Sequence, residues 1–522
     1  MITVKLFSFF KYYILSVMLI VFYLPLGIYA QNNIHASLTI DFTAPTQLYD
    51  RMIFGQFIEH FHRQVYGGIF DPGSKLSDEK GFRKDVIAAL KVMKVPVVRW
   101  PGGCFVSSYH WYNGIGKNRI PAYDKAWQVE EPNTFGTDEF ILWCKKIGAE
   151  PYICTNAGTG TMEEMSDWVE YCNLTIGKYG RMRQANGNIP PFNVQYWSIG
   201  NENWGSHEIG SKSIADWGPL VRESAKMMRR VSPDVKLFAA ALANPKWTLP
   251  LLKEAGDLLD FVSIHSYWDG DHDHFKPASY MECMMKTNLP EKQITKTISI
   301  LDQSGYRGKI FIAYDEWNLR SWLHPGLFNP RKKMDIAQRD KNDINATYTM
   351  ADALFMASFL NTCLRNGKDV KMACFSPIVN ASGVLYVHPN GLVKRTTYHV
   401  MSLYANQLQA NTLPFILVSD SLHSTTQSVS TIDALVTCNS EKTKITISLI
   451  NKHPLYEADC DLGMKLPLKF LNATILSGDS VDAFNDVNTP NRVIPKSIQL
   501  LLQDGHLLIP PHSLVFITIP FQ

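Results

Sequence analysis

What this chain has little of narrows it first. Its 522 residues carry 51 Lys and Arg against 48 Asp and Glu, a formal net charge of +3. Nucleic-acid binders show a concentrated basic surplus, so no nucleic-acid partner is expected and a neutral ligand fits better. No GxGxxG follows any apolar run, which argues against a dinucleotide; the reading calls for no cofactor and no metal. The nine cysteines include no CxxC pair, and most lie inside apolar runs such as Pro151-Tyr-Ile-Cys154-Thr. Buried free thiols are therefore expected, with a Cys438–Cys460 disulfide left open.

Long apolar runs are scarce as well. Lys5 and Lys11 precede one from Tyr12 to Tyr29, broken by Pro25 and followed by Ala30. Residues 1–30 read as a signal peptide cleaved before Gln31, giving a secreted protein, periplasmic or extracellular. The competing reading is an uncleaved anchor, because the run approaches the roughly 20 residues of a membrane span. Gln31, not cysteine, stands directly after the cleavage point, against a lipid anchor, and no membrane association is expected after cleavage.

What remains is ordinary globular material, 46% apolar and 19% charged, long enough for a large domain and a smaller one. From residue 52 to 405, short apolar runs alternate with amphipathic helical patterns. The expected strands are Ile53–Ile58, Val95–Trp100, Pro151–Thr155, Val194–Ile199, Val235–Ala240, Phe261–His265, Lys309–Tyr314 and Val370–Phe375. Helical patterns separate them over Phe82–Lys94, Thr137–Ile147, Glu163–Tyr179, Ile214–Val231, Leu249–Ala255, Glu291–Ser304 and Asn345–Asn366. Near-continuous apolar strands joined by helices predict a parallel sheet covered on both faces. Eight of them predict an α/β fold, a (β/α)8 TIM barrel, with an open doubly wound sheet as the alternative. From 406 to 522 short alternating runs take over, the pattern of a C-terminal all-β sandwich. Within 31–51 the isolated run Ala36–Phe42 is expected to join that sandwich.

Barrel chemistry sits at the carboxyl ends of the strands. Those ends carry Glu59-His60, Arg99-Trp100, Asn156, Asn201-Glu202, His265-Ser-Tyr267 and Asp315-Glu316. Glu202 and Glu316 end the fourth and seventh units, on opposite sides of the mouth. Two carboxyl groups flanking one bond is what glycoside hydrolysis requires; separations near 5–5.5 Å give retention and wider ones inversion. Trp197-Ser-Ile-Gly-Asn201-Glu202 resembles the acid/base segment, and Ala313-Tyr-Asp-Glu316-Trp-Asn the nucleophile segment, of the large clan of barrel glycosidases. Gly55-Gln-Phe-Ile-Glu59-His, Tyr66-Gly-Gly-Ile-Phe, Arg99-Trp-Pro-Gly-Gly, Ala126-Trp127-Gln, Gly158-Thr-Gly-Thr and Trp168-Val-Glu-Tyr-Cys-Asn173 are similar, in order, to family 51 glycoside hydrolases, chiefly α-L-arabinofuranosidases.

The resemblance implies a retaining, exo-acting enzyme that releases terminal α-L-arabinofuranosyl groups from arabinose-containing oligo- or polysaccharides. It assigns Glu316 as nucleophile and Glu202 as acid/base, the latter kept protonated in part by the charge of Glu316. It also assigns Arg99 to Glu316, Asn201 to the sugar 2-hydroxyl, and Glu59, Cys104, His265 and Tyr267 to the sugar. Trp127 is either a wall for the leaving group or a core side chain. The resemblance also leaves room for a homo-oligomer. Three positions depart from many bacterial members: Cys104 stands for Asn, Pro377 for Gln, and Arg320 for an aromatic that Trp322 could replace. An endo-glucanase or xylosidase on the same scaffold, or a carbohydrate-binding protein with lost catalysis, are the other readings. The run Asp269-Gly-Asp-His272-Asp-His274 fails the calcium-loop pattern, with His274 where Gly is needed and Tyr280 where Glu is needed.

Overall fold

The computed structural model describes residues 34–269, 278–320, 348–464 and 466–520. The expected signal peptide, the Asp/His run beyond Asp269, and Trp322 lie outside the described residues. Eight strands close a barrel: β1 (Gly55–Phe57), β2 (Val97–Trp100), β3 (Glu150–Thr155), β4 (Tyr196–Ile199), β5 (Lys236–Ala240), β6 (Phe261–Asp269), β7 (Phe311–Arg320) and β8 (Val370–Phe375). Each pairs in parallel with its chain neighbours, and β8 closes on β1. All eight expected strands are present. Phe57, Val97, Tyr152, Phe238, Phe261, Ala313, Met372 and Cys374 form one buried cluster drawn from all the strands except β4. The barrel is therefore a packed floor beneath the site, not a pore.

The helices follow their sequences. Thr137–Ile147 buries Phe140, Ile141, Trp143, Cys144 and Ile147, the 3.6-residue stripe, and Phe140 stacks on Trp100 with centroids 4.7 Å apart. The Glu139 carboxylate accepts from the Gly136 N–H at 2.8 Å, satisfying one donor of the first turn. Gly148 stops the helix at φ 80°, where alanine would cost about 1 kcal/mol or more. The pattern expected over Glu163–Tyr179 is two helices, Met162–Asn173 and Gly177–Ala185, because the backbone is extended at Leu174 and Ile176 between them. Two helices, Tyr280–Met285 and, after β8, Thr396–Gln407, were not expected. The latter opens on two β-branched threonines, has no side-chain cap, and carries no acidic residue in its first turn and no basic one in its last.

Ile34–Ile40 pairs antiparallel with Phe415–Ser419 and parallel with Ala458–Asp461, in a four-stranded sheet completed by His506–Ile509. That sheet shares an apolar core with a seven-stranded one centred on Lys444–Asn451 and Ser513–Pro520. Cys438 and Cys460 both lie in this core as free thiols, so the disulfide left open in the sequence does not form. Met350–Arg365 is buried on nearly every side because it lies between barrel and sandwich. Across that boundary Arg365 donates to Asp433 at 2.6 Å and to the Ala434 carbonyl at 2.8 Å.

Candidate active site

Simple alternation along β7 would turn Glu316 away from the barrel if Asp315 faced inward. Both carboxylates reach the mouth because the β7–β8 register shifts between Tyr314 and Trp317. A bulge adds a residue and re-aims the side chains that follow it. Asp315 takes the deeper position, accepting from Tyr152 Oη at 2.6 Å and Ser263 Oγ at 2.7 Å. Glu316 sits above it, Oε2 accepting from Arg99 Nη1 at 2.8 Å. The Tyr267 hydroxyl lies 2.7 Å from both Glu316 Oε1 and Ser376 Oγ. On β6, Ser263, His265 and Tyr267 are two residues apart and share the inward face.

The opposing carboxylate follows β4. Glu202 holds left-handed backbone, φ 43°, closed by a Gly205 N–H to Glu202 carbonyl bond of 2.6 Å. Non-glycine residues in that region cost about 1–3 kcal/mol and persist where the surroundings over-determine them. The turn sends Asn201 and Glu202 into one cleft. Asn201 Oδ1 accepts from Arg99 Nη2 at 2.7 Å, and its Nδ2 donates to Glu208 Oε1 at 2.8 Å. Glu202 Oε1 lies 2.8 Å from His265 Nδ1, and Oε2 lies 2.8 Å from His207 Nε2. One oxygen each of Glu202 and Glu316 and one nitrogen of His265 lie within 4.8 Å of one another. A second trio of metal-type donors, Cys104, His207 and Glu208, meets the same limit.

Burial raises Glu202, but hydrogen bonds from His207 and His265 outweigh it and hold the carboxyl well below its usual range. His265 is opposed by burial, yet Glu316, Asp315 and Glu202 around it push it up to about 10. The two shifts run in opposite directions, as expected of a carboxylate and imidazole in direct contact. The expectation that the charge of Glu316 keeps Glu202 protonated is corrected, because two imidazoles face that carboxylate at hydrogen-bond distance. Asp315 is likewise lowered against burial by His265 and Arg99. Burial, then the charge of Glu316, raises Glu59 well above the carboxylate range. Burial and Glu202 lift Glu208 to about 7.

Of the residues singled out in the sequence, Arg99, Asn201, Glu202, His265, Tyr267 and Glu316 form this connected network. Glu59 lies beside it after β1, its Oε1 accepting from Trp127 Nε1 at 2.7 Å and the Phe105 N–H at 2.8 Å. Trp127 is buried and stacks on Phe61 at 4.0 Å. One ring face is thus covered by Phe61, and the indole N–H is directed at Glu59. Cys104 opens the 3-10 turn after Gly103, and burial beside Glu208, Glu59 and Glu202 raises its thiol well above the usual range. Arg320 is buried away from the carboxylate pair, bonded to Asp269 at 2.6 Å and Asp352 at 2.9 Å. His207, Glu208 and Ser376 were not singled out; the only signal for them was position in loops that follow strand ends. A cavity of about 930 Å³ lined by Arg119, Asp138 and Phe192 shares no residue with the network.

Known proteins match this arrangement. Residues 89–283 match the family described as Alpha-L-arabinofuranosidase 1 domain, and residues 315–513 the Alpha-L-arabinofuranosidase C-terminal domain. Alpha-L-arabinofuranosidase C of Emericella nidulans is 36% identical over 384 residues, 69% of this chain and 72% of that one. The intracellular exo-alpha-(1->5)-L-arabinofuranosidase of Acetivibrio thermocellus is 31% identical over 439 residues, 80% of this chain and 85% of that one. The arabinose complex of the Thermotoga maritima α-L-arabinofuranosidase superposes with a TM-score of 0.81 at 31% identity, covering 94% of this chain and 100% of that one. A barrel with paired glutamates past β4 and in β7, a β-sandwich behind it and identity along most of its length make this chain a member of glycoside hydrolase family 51, the α-L-arabinofuranosidases.

Proposed function

We propose that this chain removes terminal α-L-arabinofuranosyl groups from arabinan, arabinoxylan or related glycans, with retention of configuration. The observation that carries the reading is the approach of Glu202 and Glu316, oxygen to oxygen within 4.8 Å. Retaining pairs stand about 5–5.5 Å apart, whereas inverting pairs leave room for a water. Glu316 is the nucleophile. Arg99 and Tyr267 hold its two oxygens at 2.8 and 2.7 Å, which fixes the carboxylate for attack on the anomeric carbon. Glu202 delivers the proton to the leaving oxygen, drawing it from the imidazoles bonded to it at 2.8 Å. Formation of the glycosyl ester removes the charge of Glu316, and Glu202 then takes a proton from the attacking water. Asn201 meets the sugar 2-hydroxyl in this reading, which its contacts with Arg99 and Glu208 support by fixing the amide.

The test is hydrolysis of an aryl α-L-arabinofuranoside followed by NMR in the first minutes. α-Arabinofuranose should appear before its β anomer; β first refutes retention. Release of arabinose alone from arabino-oligosaccharides supports exo action, and release of longer fragments refutes it. Export is proposed from the sequence of residues 1–30. Amino-terminal sequencing of the exported protein should begin at Gln31, and a mature chain that still carries Met1 refutes cleavage.

A further inference from the structure

We propose that Cys104, His207 and Glu208 form a binding site for a zinc-class cation, and that filling it withdraws His207 from Glu202 and stops the enzyme. Three different donor types converge from two loops: a thiol after β2, and an imidazole and a carboxylate after β4. One donor atom of each lies within 4.8 Å of the other two, and His207 Nε2 stands 3.9 Å from Glu208 Oε1. In a tetrahedral zinc site, bond lengths of about 2.0–2.3 Å put neighbouring donors about 3.3–3.6 Å apart. The trio has only to contract by roughly 1 Å, within reach of rotamer adjustment. Thiolate with imidazole selects zinc, cadmium and their like over magnesium or calcium.

The surroundings suit such an ion. The carboxylate is already oriented, Glu208 Oε2 accepting from Ser107 Oγ and Oε1 from Asn201 Nδ2, both at 2.8 Å. Outer hydrogen bonds of this kind position metal ligands. The His207 side chain is 35% exposed, and Cys104 is the one cysteine of nine that is not fully buried, so an ion can enter from the cleft. The other trio, Glu202, His265 and Glu316, has no sulfur. Arg99 stands 2.8 Å from its Glu316 oxygen and repels a cation.

Binding releases the Cys104 thiol proton, and the one shared by His207 and Glu202, to solvent. His207 Nε2 uses a single position either to bond Glu202 Oε2, at 2.8 Å now, or to coordinate the ion. An occupied site therefore removes the hydrogen bond that orients Glu202 Oε2 and sets a divalent charge beside that carboxylate. This inhibitory half rests on the acid/base reading of Glu202; the binding half does not.

The test uses the full-length enzyme after chelator treatment, titrated with zinc and, separately, cadmium. One equivalent of zinc should bind, with hydrolysis of an aryl α-L-arabinofuranoside falling in parallel at least tenfold. Cadmium should give an ultraviolet thiolate charge-transfer band reporting Cys104. In Cys104→Ser the band should vanish and zinc affinity drop at least tenfold; in His207→Gln affinity should drop while the band weakens. Absence of the band, or zinc affinity unchanged in both variants, overturns the site. Stoichiometric binding with the band but full activity overturns the coupling to Glu202. An enzyme inactive on arabinofuranosides even without metal counts against the proposed function alone, because the absorption readout needs no turnover.

Discussion

Truncating Glu202 to alanine separates its role from that of Glu316. The change removes two oxygens that His207 Nε2 and His265 Nδ1 reach at 2.8 Å. The fold should survive, because His265 keeps Asp315 at 3.4 Å and Glu316 at 3.7 Å as counter-charges and His207 can turn to solvent. Two lost charge-assisted hydrogen bonds at a partly open site predict a stability loss of about 1–3 kcal/mol. Catalysis should lose far more on natural substrates. Acid–base assistance is worth about 10²–10⁴-fold, or about 2.7–5.4 kcal/mol at 1.36 kcal/mol per decade. A dinitrophenyl aglycone leaves without protonation, so formation of the glycosyl-enzyme should be nearly spared while its hydrolysis stalls. The assay is stopped-flow release of dinitrophenol, with a burst close to one equivalent followed by a slow phase. Azide needs no deprotonation and should attack the intermediate from the face the aglycone left, restoring turnover with an α-glycosyl azide as product. Equal losses on dinitrophenyl and natural substrates, with no burst and no azide product, would falsify the assignment.

Glu316→Ala should abolish turnover of every arabinofuranoside, and any azide product should be the β anomer; an α product sinks the nucleophile assignment. Gly103→Ala places a Cβ 2.6–2.8 Å from the Glu59 carboxyl; Glu59 must shift, so arabinose should bind roughly tenfold more weakly by calorimetry, and unchanged binding removes Glu59 from the sugar site. The pKa of His265 is raised from 6.5 to about 10 in the fold, so its protonation stabilises the native state fully below pH 6.5 and the contribution disappears as pH climbs toward 10. Melting temperatures of His265→Gln should accordingly fall less steeply than wild type between those limits, and parallel curves refute the ion cluster. Arg365→Ala deletes the 2.6 Å bond to Asp433 between barrel and sandwich. With both groups partly exposed the loss should be about 1–2 kcal/mol in urea unfolding, and none at all would mean the bridge is screened.

Patterning alone determined the order of the architecture. Burying a strand on both faces demands continuous apolar runs, and a helix laid on a barrel demands a stripe every 3.6 residues, so both signals are local. The eight strands and the chemistry at their ends, Glu59, Arg99, Asn201, Glu202, His265, Tyr267 and Glu316, are legible for that reason. Thr396–Gln407 escaped because it is buried along most of its length, which erases the polar face that marks a helix. The tertiary structure alone decided who meets whom. The bulge that turns Glu316 inward depends on the register of β7 against β8, and no residue of β7 announces it. Ile34–Ile40 finds its partners more than 370 residues away. That the Trp127 N–H meets Glu59 is likewise a tertiary fact with no local signal. His207 sits in an irregular loop and became visible only when the turn at Glu202 folded it back onto that carboxylate. Protonation was the least legible property, because it depends on which charges surround a group in space. Glu202 is pulled down by two imidazoles, and Glu59 is pushed up by burial beside another carboxylate.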